Sequence, residues 1–153
     1  MTGARRLLSD LERTSAQLAA AVDLRLQRET GLPLASVEVM SVIASRDTCR
    51  IYDLATELGI TSGGASKLVD RLEARGDCRR HPNPGDRRSS LLKLTPPGAA
   101  LLATAQRVVD AELGDMLGSR LSRTQIAQLA ATLHDLRSAG SVRGQLGISR
   151  REV

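Results

Sequence analysis

Ile51–Gly76, IYDLATELGITSGGASKLVDRLEARG, is the stretch whose reading decides the fold. Ile51, Leu54, Ala55 and Leu58 fall at i, i+3, i+4, i+7, the spacing of one helical face. Gly59 follows and predicts a helix stop, because glycine enters the left-handed region without strain. After Ile60 and Thr61 the stripe recurs as Ala65, Leu68, Val69 and Leu72, and Gly76 closes it. Two short amphipathic helices with matching stripes and a tight glycine turn make a helix-turn-helix, with small Ala55 at the crossing. A plain αα-hairpin is the alternative reading of the same pattern.

On the C-terminal side, Asp77–His81 and Ser89–Leu94 read as strands. Between them PNPGDRR (82–88) excludes a helix through its prolines and glycine. A hairpin with a basic tip directly after the second helix is a wing, and Cys49–Ile51 is a candidate third strand. Thr95-Pro96-Pro97 predicts the cap and first turn of a helix reaching about Leu117, with Leu102, Ala105, Val109, Leu113 and Met116 at near-heptad spacing. Ser122 and Gln125 form a capping box opening a last helix. On the N-terminal side, Ala4–Glu29 reads as a long helix with Leu7, Leu8, Leu11, Leu18, Val22 and Leu26 on one broad face, interrupted by Gly31 and Pro33. Ala35–Ser45 is apolar nearly all round, which predicts a central, buried helix.

The expected fold class is therefore mainly α with a small β-hairpin wing: a winged helix-turn-helix with N- and C-terminal dimerisation helices. Residues 1–34 and 95–140 supply those helices, 35–94 the winged lobe, and 141–153 a tail of no assigned role, with one domain over about 5–138. The terminal helices carry more apolar surface than the small lobe can cover, so the expected partner is a second copy in a two-fold homodimer.

Charge narrows the function. The chain of 153 residues has a net charge of +5 and a pI near 10.2, and the excess is local: residues 71–93 hold seven bases against three acids. Such a cluster suits a polyanion, or a solvated arginine-rich surface. With Tyr52 the only aromatic, a single-strand binder built on stacked rings is disfavoured. No apolar run approaches the ~20 residues of a membrane span, and Met1–Ser15 lacks a signal-type apolar core, so a cytoplasmic location without membrane partners is expected. No GxxxxGK, nucleophile elbow, HExxH or triad is found, so no enzyme is expected. His81 and His134 have no ligand spacing around them, and neither metal nor cofactor is expected.

The segments IYDLA (51–55), LVDRLEARG (68–76), DRR (86–88) and LTPPG (94–98), in this order and spacing, resemble the MarR family of bacterial regulators. The motif match covers roughly Leu34–Gly98. Asp77-Cys78 stands where the family usually has apolar residues, and Gly63-Gly64 opens the recognition helix where better helix formers are usual. The resemblance implies a sequence-specific transcription regulator that binds a palindromic double-stranded DNA operator as a homodimer, usually repressing adjacent genes until a small molecule or oxidant releases it. It implies Arg88 as the residue inserted in the minor groove, Arg87 as a phosphate contact and Asp86 as a brace. Asp86 alone reads equally well as a turn residue.

On the recognition helix the inward stripe leaves Ser62, Gly63, Ser66, Lys67, Asp70 and Arg71 outward. Lys67 and Arg71 are candidates for guanine or phosphate, and Ser66 can donate or accept. Gly63 and Gly64 would allow close backbone approach to DNA, at about 1 kcal/mol each in helix propensity, or else merely fray the first turn. Where the dimer helices meet the lobe the side chains are mostly Leu, Val, Ala and Met, so an effector would be small and largely apolar. Cys49 and Cys78 flank the wing strands. They read as a thiol-redox pair or as two small buried hydrophobes. A non-specific architectural DNA-binding protein is a further alternative.

Overall fold

The computed structural model describes the backbone of residues 3–146 and the side chains of residues 3–138. The elements run α1 (Gly3–Thr30), α2 (Leu34–Ala44), α3 (Ile51–Leu58), α4 (Ser62–Ala74), β1 (Cys78–Pro82), β2 (Ser90–Leu94), α5 (Pro96–Gly118) and α6 (Arg123–Leu146). They form two units, 1–113 and 114–153.

The first unit is built around α2, which buries Ser36, Val37, Val39, Met40 and Ile43. Val22 and Leu26 of α1, Leu54 and Ala55 of α3, Ala65, Val69 and Leu72 of α4, Cys78 and Leu92 of the hairpin, and Leu102, Ala105 and Val108 of α5 complete the core. The largely apolar α2 is thus covered over most of its surface, with Ala35, Glu38 and Ala44 left exposed. The helix has no cap from its own start, where Pro33 precedes it. Instead the Asp23 carboxylate of α1 accepts the Leu34 N–H at 2.7 Å, a cap supplied from another helix.

Local chemistry sets each helix end in the central pair. Asp53 Oδ2 accepts the Arg50 backbone N–H at 2.9 Å at the start of α3. Gly59 ends α3 at φ +64. Thr61 caps α4, its hydroxyl accepting the Gly64 N–H at 3.1 Å. Gly76, at φ +80, ends α4 in a Schellman motif: the Asp77 N–H reaches the Leu72 carbonyl and the Gly76 N–H the Glu73 carbonyl, both at 2.9 Å. The position after the glycine normally carries an apolar residue in this motif. Here it is Asp77, 6% exposed, and its carboxylate is satisfied by Arg75 Nε at 2.8 Å.

The hairpin is two-stranded and antiparallel, pairing Cys78 with Leu94, Arg80 with Leu92 and Pro82 with Ser90. The third strand expected at Cys49–Ile51 is not formed. A single bond reaches that segment from β2, the Leu92 N–H donating to the Cys49 carbonyl at 2.7 Å, because Ile51 already belongs to α3.

The start of α5 is locked to the end of α4. Thr95 Oγ1 accepts the Gly98 N–H at 3.1 Å and donates to the Gly76 carbonyl at 2.6 Å, while the Thr95 N–H donates to the Asp77 carbonyl at 3.0 Å. A Cβ on Gly98 would lie 1.9 Å from that same carbonyl oxygen, so only glycine fits.

In the second unit, Gln125 and Ser122 exchange bonds at the start of α6, with Ser122 N to Gln125 Oε1 at 2.9 Å and Gln125 N to Ser122 Oγ at 3.3 Å, the expected capping box. Helix α6 continues to Leu146, into the stretch expected as tail; the rest of that tail lies outside the described residues.

Gly98→Ala is expected to destabilise the protein by about 3 kcal/mol, the upper range for forced overpacking. Gly114→Ala, where an added Cβ meets nothing, should instead be neutral or stabilising by up to about 1 kcal/mol. Thermal melts of both variants check the pair; equal melting temperatures would remove the tight crossing.

Candidate nucleic-acid interface

Burial of Ala65, Val69 and Leu72 fixes the rotation of α4. It leaves Ser62, Gly63, Lys67, Asp70 and Arg71 exposed and Ser66 half-buried, as the stripe predicts. Gly63 and Gly64 differ. A Cβ on Gly64 would sit 3.2 Å from Thr61 Oγ1, crowding the cap, whereas one on Gly63 meets nothing within 4 Å. Packing within the chain explains Gly64 only in part and Gly63 not at all.

The loop between the strands is a pair of tight turns. Asn83 Oδ1 accepts the Gly85 N–H at 3.0 Å, and its amide donates to Ser89 Oγ at 2.9 Å. Asp86 Oδ1 accepts the Arg88 backbone N–H at 2.9 Å, which is the main reason its carboxyl is held below the usual carboxylate range. Asp86 thus fixes the Arg88 main chain within the turn, and the Arg88 side chain is left to solvent. Arg87 and Arg88 are both exposed.

Not every base of the 71–93 cluster is free. Arg80 of β1 bridges to α4, with Nη2 2.7 Å from Asp70 Oδ1 and Nη1 paired with Glu73. Its backbone N–H also donates to Glu73 Oε1 at 3.1 Å. These contacts tie the hairpin to the recognition helix and neutralise two acids beside it. Arg75 is held by Asp77. By contrast Lys67, Arg71, Arg79, Arg87, Arg88 and Lys93 hold no carboxylate partner among the described residues. Arg79 and Lys93 are cross-strand partners and both exposed, a like-charge pairing that is unfavourable by itself.

A groove of about 390 Å³ lies between the start of α3, α4 and the hairpin, lined by Arg50, Tyr52, Ser66, Arg80, Asp86 and Arg88 among others. Sequence reasoning does not reach Arg50 and Tyr52 as site residues. The available signal is that Tyr52 lies off the stripe Ile51, Leu54, Ala55, Leu58, and so points away from the core.

Cys49 and Cys78 are free and fully buried. Burial pushes the Cys49 thiol up to about 11 and the Cys78 thiol upward as well. Reactive cysteines sit in exposed, thiolate-favouring surroundings, so this setting favours the core role. His81 on β1 and His134 on α6 are both exposed.

The family model for the MarR family matches residues 32–90. The multiple antibiotic resistance protein MarR of Escherichia coli K12 is 34% identical over 77 residues, 50% of this chain and 54% of that protein. The chain thus spans about half the length of the curated relatives it matches. Among solved structures, a MarR-family transcriptional regulator from Rhodococcus sp. RHA1 superposes with a TM-score of 0.81 at 26% identity, covering 89% of this chain and 95% of that one. CouR of Rhodococcus jostii RHA1, a transcriptional repressor bound to a 23-mer DNA duplex, superposes with a TM-score of 0.77 at 30% identity, covering 84% and 89%. Motif order, winged architecture and these matches agree: the chain belongs to the MarR family of transcriptional regulators.

Proposed function

We propose that this chain is a sequence-specific repressor: a homodimer that binds a palindromic double-stranded operator and is released by a small, largely apolar effector. The observation that carries this reading is a set of cations without a carboxylate partner among the described residues. These are Lys67 and Arg71 on α4 with Arg87 and Arg88 at the hairpin tip, on two elements that Arg80 holds together. Lys67 and Arg71 are suited to major-groove bases or the flanking phosphates. Arg88 suits a narrow minor groove, and Arg87 a phosphate. CouR, a relative at 30% identity, is a repressor captured on DNA, and in a second structure it is bound to p-coumaroyl-CoA. The first supports the repressor part of the proposal and the second the binding of an effector molecule; a CoA thioester carries phosphates, so the apolar character of the effector rests on the Leu, Val, Ala and Met side chains of this chain alone.

The dimer is supported by unpartnered apolar faces. Leu7, Leu8 and Leu24 of α1 and Leu129, Leu133 and Leu136 of α6 are 40% exposed or more. The α6 leucines recur at i, i+4, i+7, one stripe fit for a partner helix. Two subunits would set recognition helices about 34–36 Å apart, over half-sites one turn apart. Among the described residues no helix is long and apolar enough to cross a membrane; a cytoplasmic binding protein without catalytic activity fits this reading.

Selection from a random duplex pool, followed by anisotropy titrations across a salt series, tests the proposal. The selected operator should bind ~10³-fold or more tighter than bulk DNA. Arg88→Ala should weaken binding and flatten the log–log salt slope by about 0.9 for each phosphate that the arginine neutralises. Lys67→Ala and Arg71→Ala should also relax base preference, by about 1–3 kcal/mol at the position each reads. Absence of any preferred duplex would overturn the regulator reading.

Gly63→Ala should raise thermal stability, by up to about 1 kcal/mol, while weakening operator binding by steric exclusion. Stabilisation with unchanged affinity would show that the glycine serves no close approach. Diamide is expected to leave operator affinity unchanged, because both thiols are buried; release by diamide that Cys78→Ser abolishes would instead establish a redox switch.

A further inference from the structure

We infer that the groove between the first turn of α3 and the hairpin seats one DNA backbone phosphate, held by Arg50 and the Tyr52 hydroxyl, while Arg88 at its far side stays available to the minor groove. This seat lies outside the recognition helix and extends the interface to a third element; it rests on the DNA-binding reading above.

The groove lining is cationic. Arg50, Arg80 and Arg88 face it, with Asp86 as the one acid among the described residues that line it. The Asp86 carboxylate is already engaged by the Arg88 backbone N–H at 2.9 Å. Arg80 is spent on Asp70 and Glu73. Arg50 Nε lies 3.1 Å from Asp53 Oδ2, and Nη2 is 3.5 Å from Oδ1. Asp53 is the one carboxylate bonded to Arg50, with Asp86 acting on it through space; guanidinium donors remain to spare, because a guanidinium carries five N–H groups. Arg88 has no acid partner among the described residues. The groove thus offers more donors than its own acids can use.

Tyr52 is the second, independent observation. It is the only aromatic residue of the chain, yet it contributes nothing to the core and is 70% exposed. It lines the groove together with Ser66 of α4 and Arg88 of the hairpin. A phenol hydroxyl donates one hydrogen bond without charge, which suits a phosphate oxygen beside the Arg50 guanidinium. Both other walls belong to the elements placed against DNA above. In helix-turn-helix proteins the first helix crosses the backbone while the second enters the groove. A phosphodiester is the anion that would lie at this junction, and it carries no sequence information.

The test uses the full chain and the selected operator. Tyr52→Phe, which removes one oxygen and should fold normally, is expected to weaken binding three- to tenfold with base preference unchanged. Arg50→Gln is expected to lower the salt slope by about 0.9 per subunit. A scan of single methylphosphonate substitutions in the operator then locates the phosphate. At one position per half-site, neutralising the charge should weaken the wild type, and weaken Tyr52→Phe and Arg50→Gln each by a smaller factor than the wild type. Wild-type affinity and slope in both variants, or no phosphate that couples to Tyr52, would overturn the seat while leaving the regulator reading intact. Failure of the wild type to select any duplex would overturn both.

Discussion

Residues Gly76 and Asp77 are where the molecule is tied together. Within two residues the backbone ends α4, begins β1, receives both bonds from Thr95 and presses against Gly98 too closely for any side chain. Arg75, one residue earlier, pairs with Asp77 at 2.8 Å and reaches back to the Gly31 carbonyl at 3.4 Å, at the turn between α1 and α2. Recognition helix, hairpin, α5 and the α1–α2 turn therefore share one anchor. One main-chain bond from the Thr95 N–H, the side-chain bonds of Thr95 and Arg75 and the backbone contact with Gly98 all meet here, so a shift of this segment disturbs several at once. An aspartate in the apolar slot of the Schellman motif is tolerable here because Arg75 satisfies it; buried without that partner, the carboxylate would be strongly unfavourable.

The same anchor explains how a small lobe presents a defined surface. The stripe Ala65, Val69 and Leu72 fixes α4 about its axis, and Arg80 fixes the hairpin relative to α4 through Asp70 and Glu73. Cations on both elements then hold a set mutual position without having to bond one another. The acids that could have quenched them are occupied by Arg80, Arg75 and the Arg88 main chain.

Most of this architecture is legible in the sequence. The paired stripes of 51–58 and 65–72 specify α3 and α4 because helical period leaves one solution, and Gly59, Gly76 and Thr95 mark the ends by local chemistry alone. What is not legible depends on partners distant in the chain. Asp23 capping Leu34 joins residues of two helices. The bridges of Arg80 turn an apparent member of the basic cluster into a structural tie. The expected strand at Cys49–Ile51 fails because Ile51 opens α3, whose start is fixed by the Asp53 carboxylate on the Arg50 N–H. Asp86 reads from sequence both as brace and as turn residue; its bond goes to the Arg88 backbone N–H, the geometry of the turn residue. In the candidate site, the α4 and hairpin-tip residues can be named from the stripe and the loop, whereas the groove with Arg50 and Tyr52 requires the three elements to be brought together.

Arg79 and Lys93, set opposite each other on the exposed side of the hairpin, give the strands an internal repulsion that dissolved ions relieve. Added salt should therefore tighten the free hairpin even as it loosens the grip of the lobe on a polyanion. Rigidity of the hairpin and strength of attachment respond to ionic strength in opposite senses, so a stiff hairpin in a concentrated electrolyte says nothing about engagement.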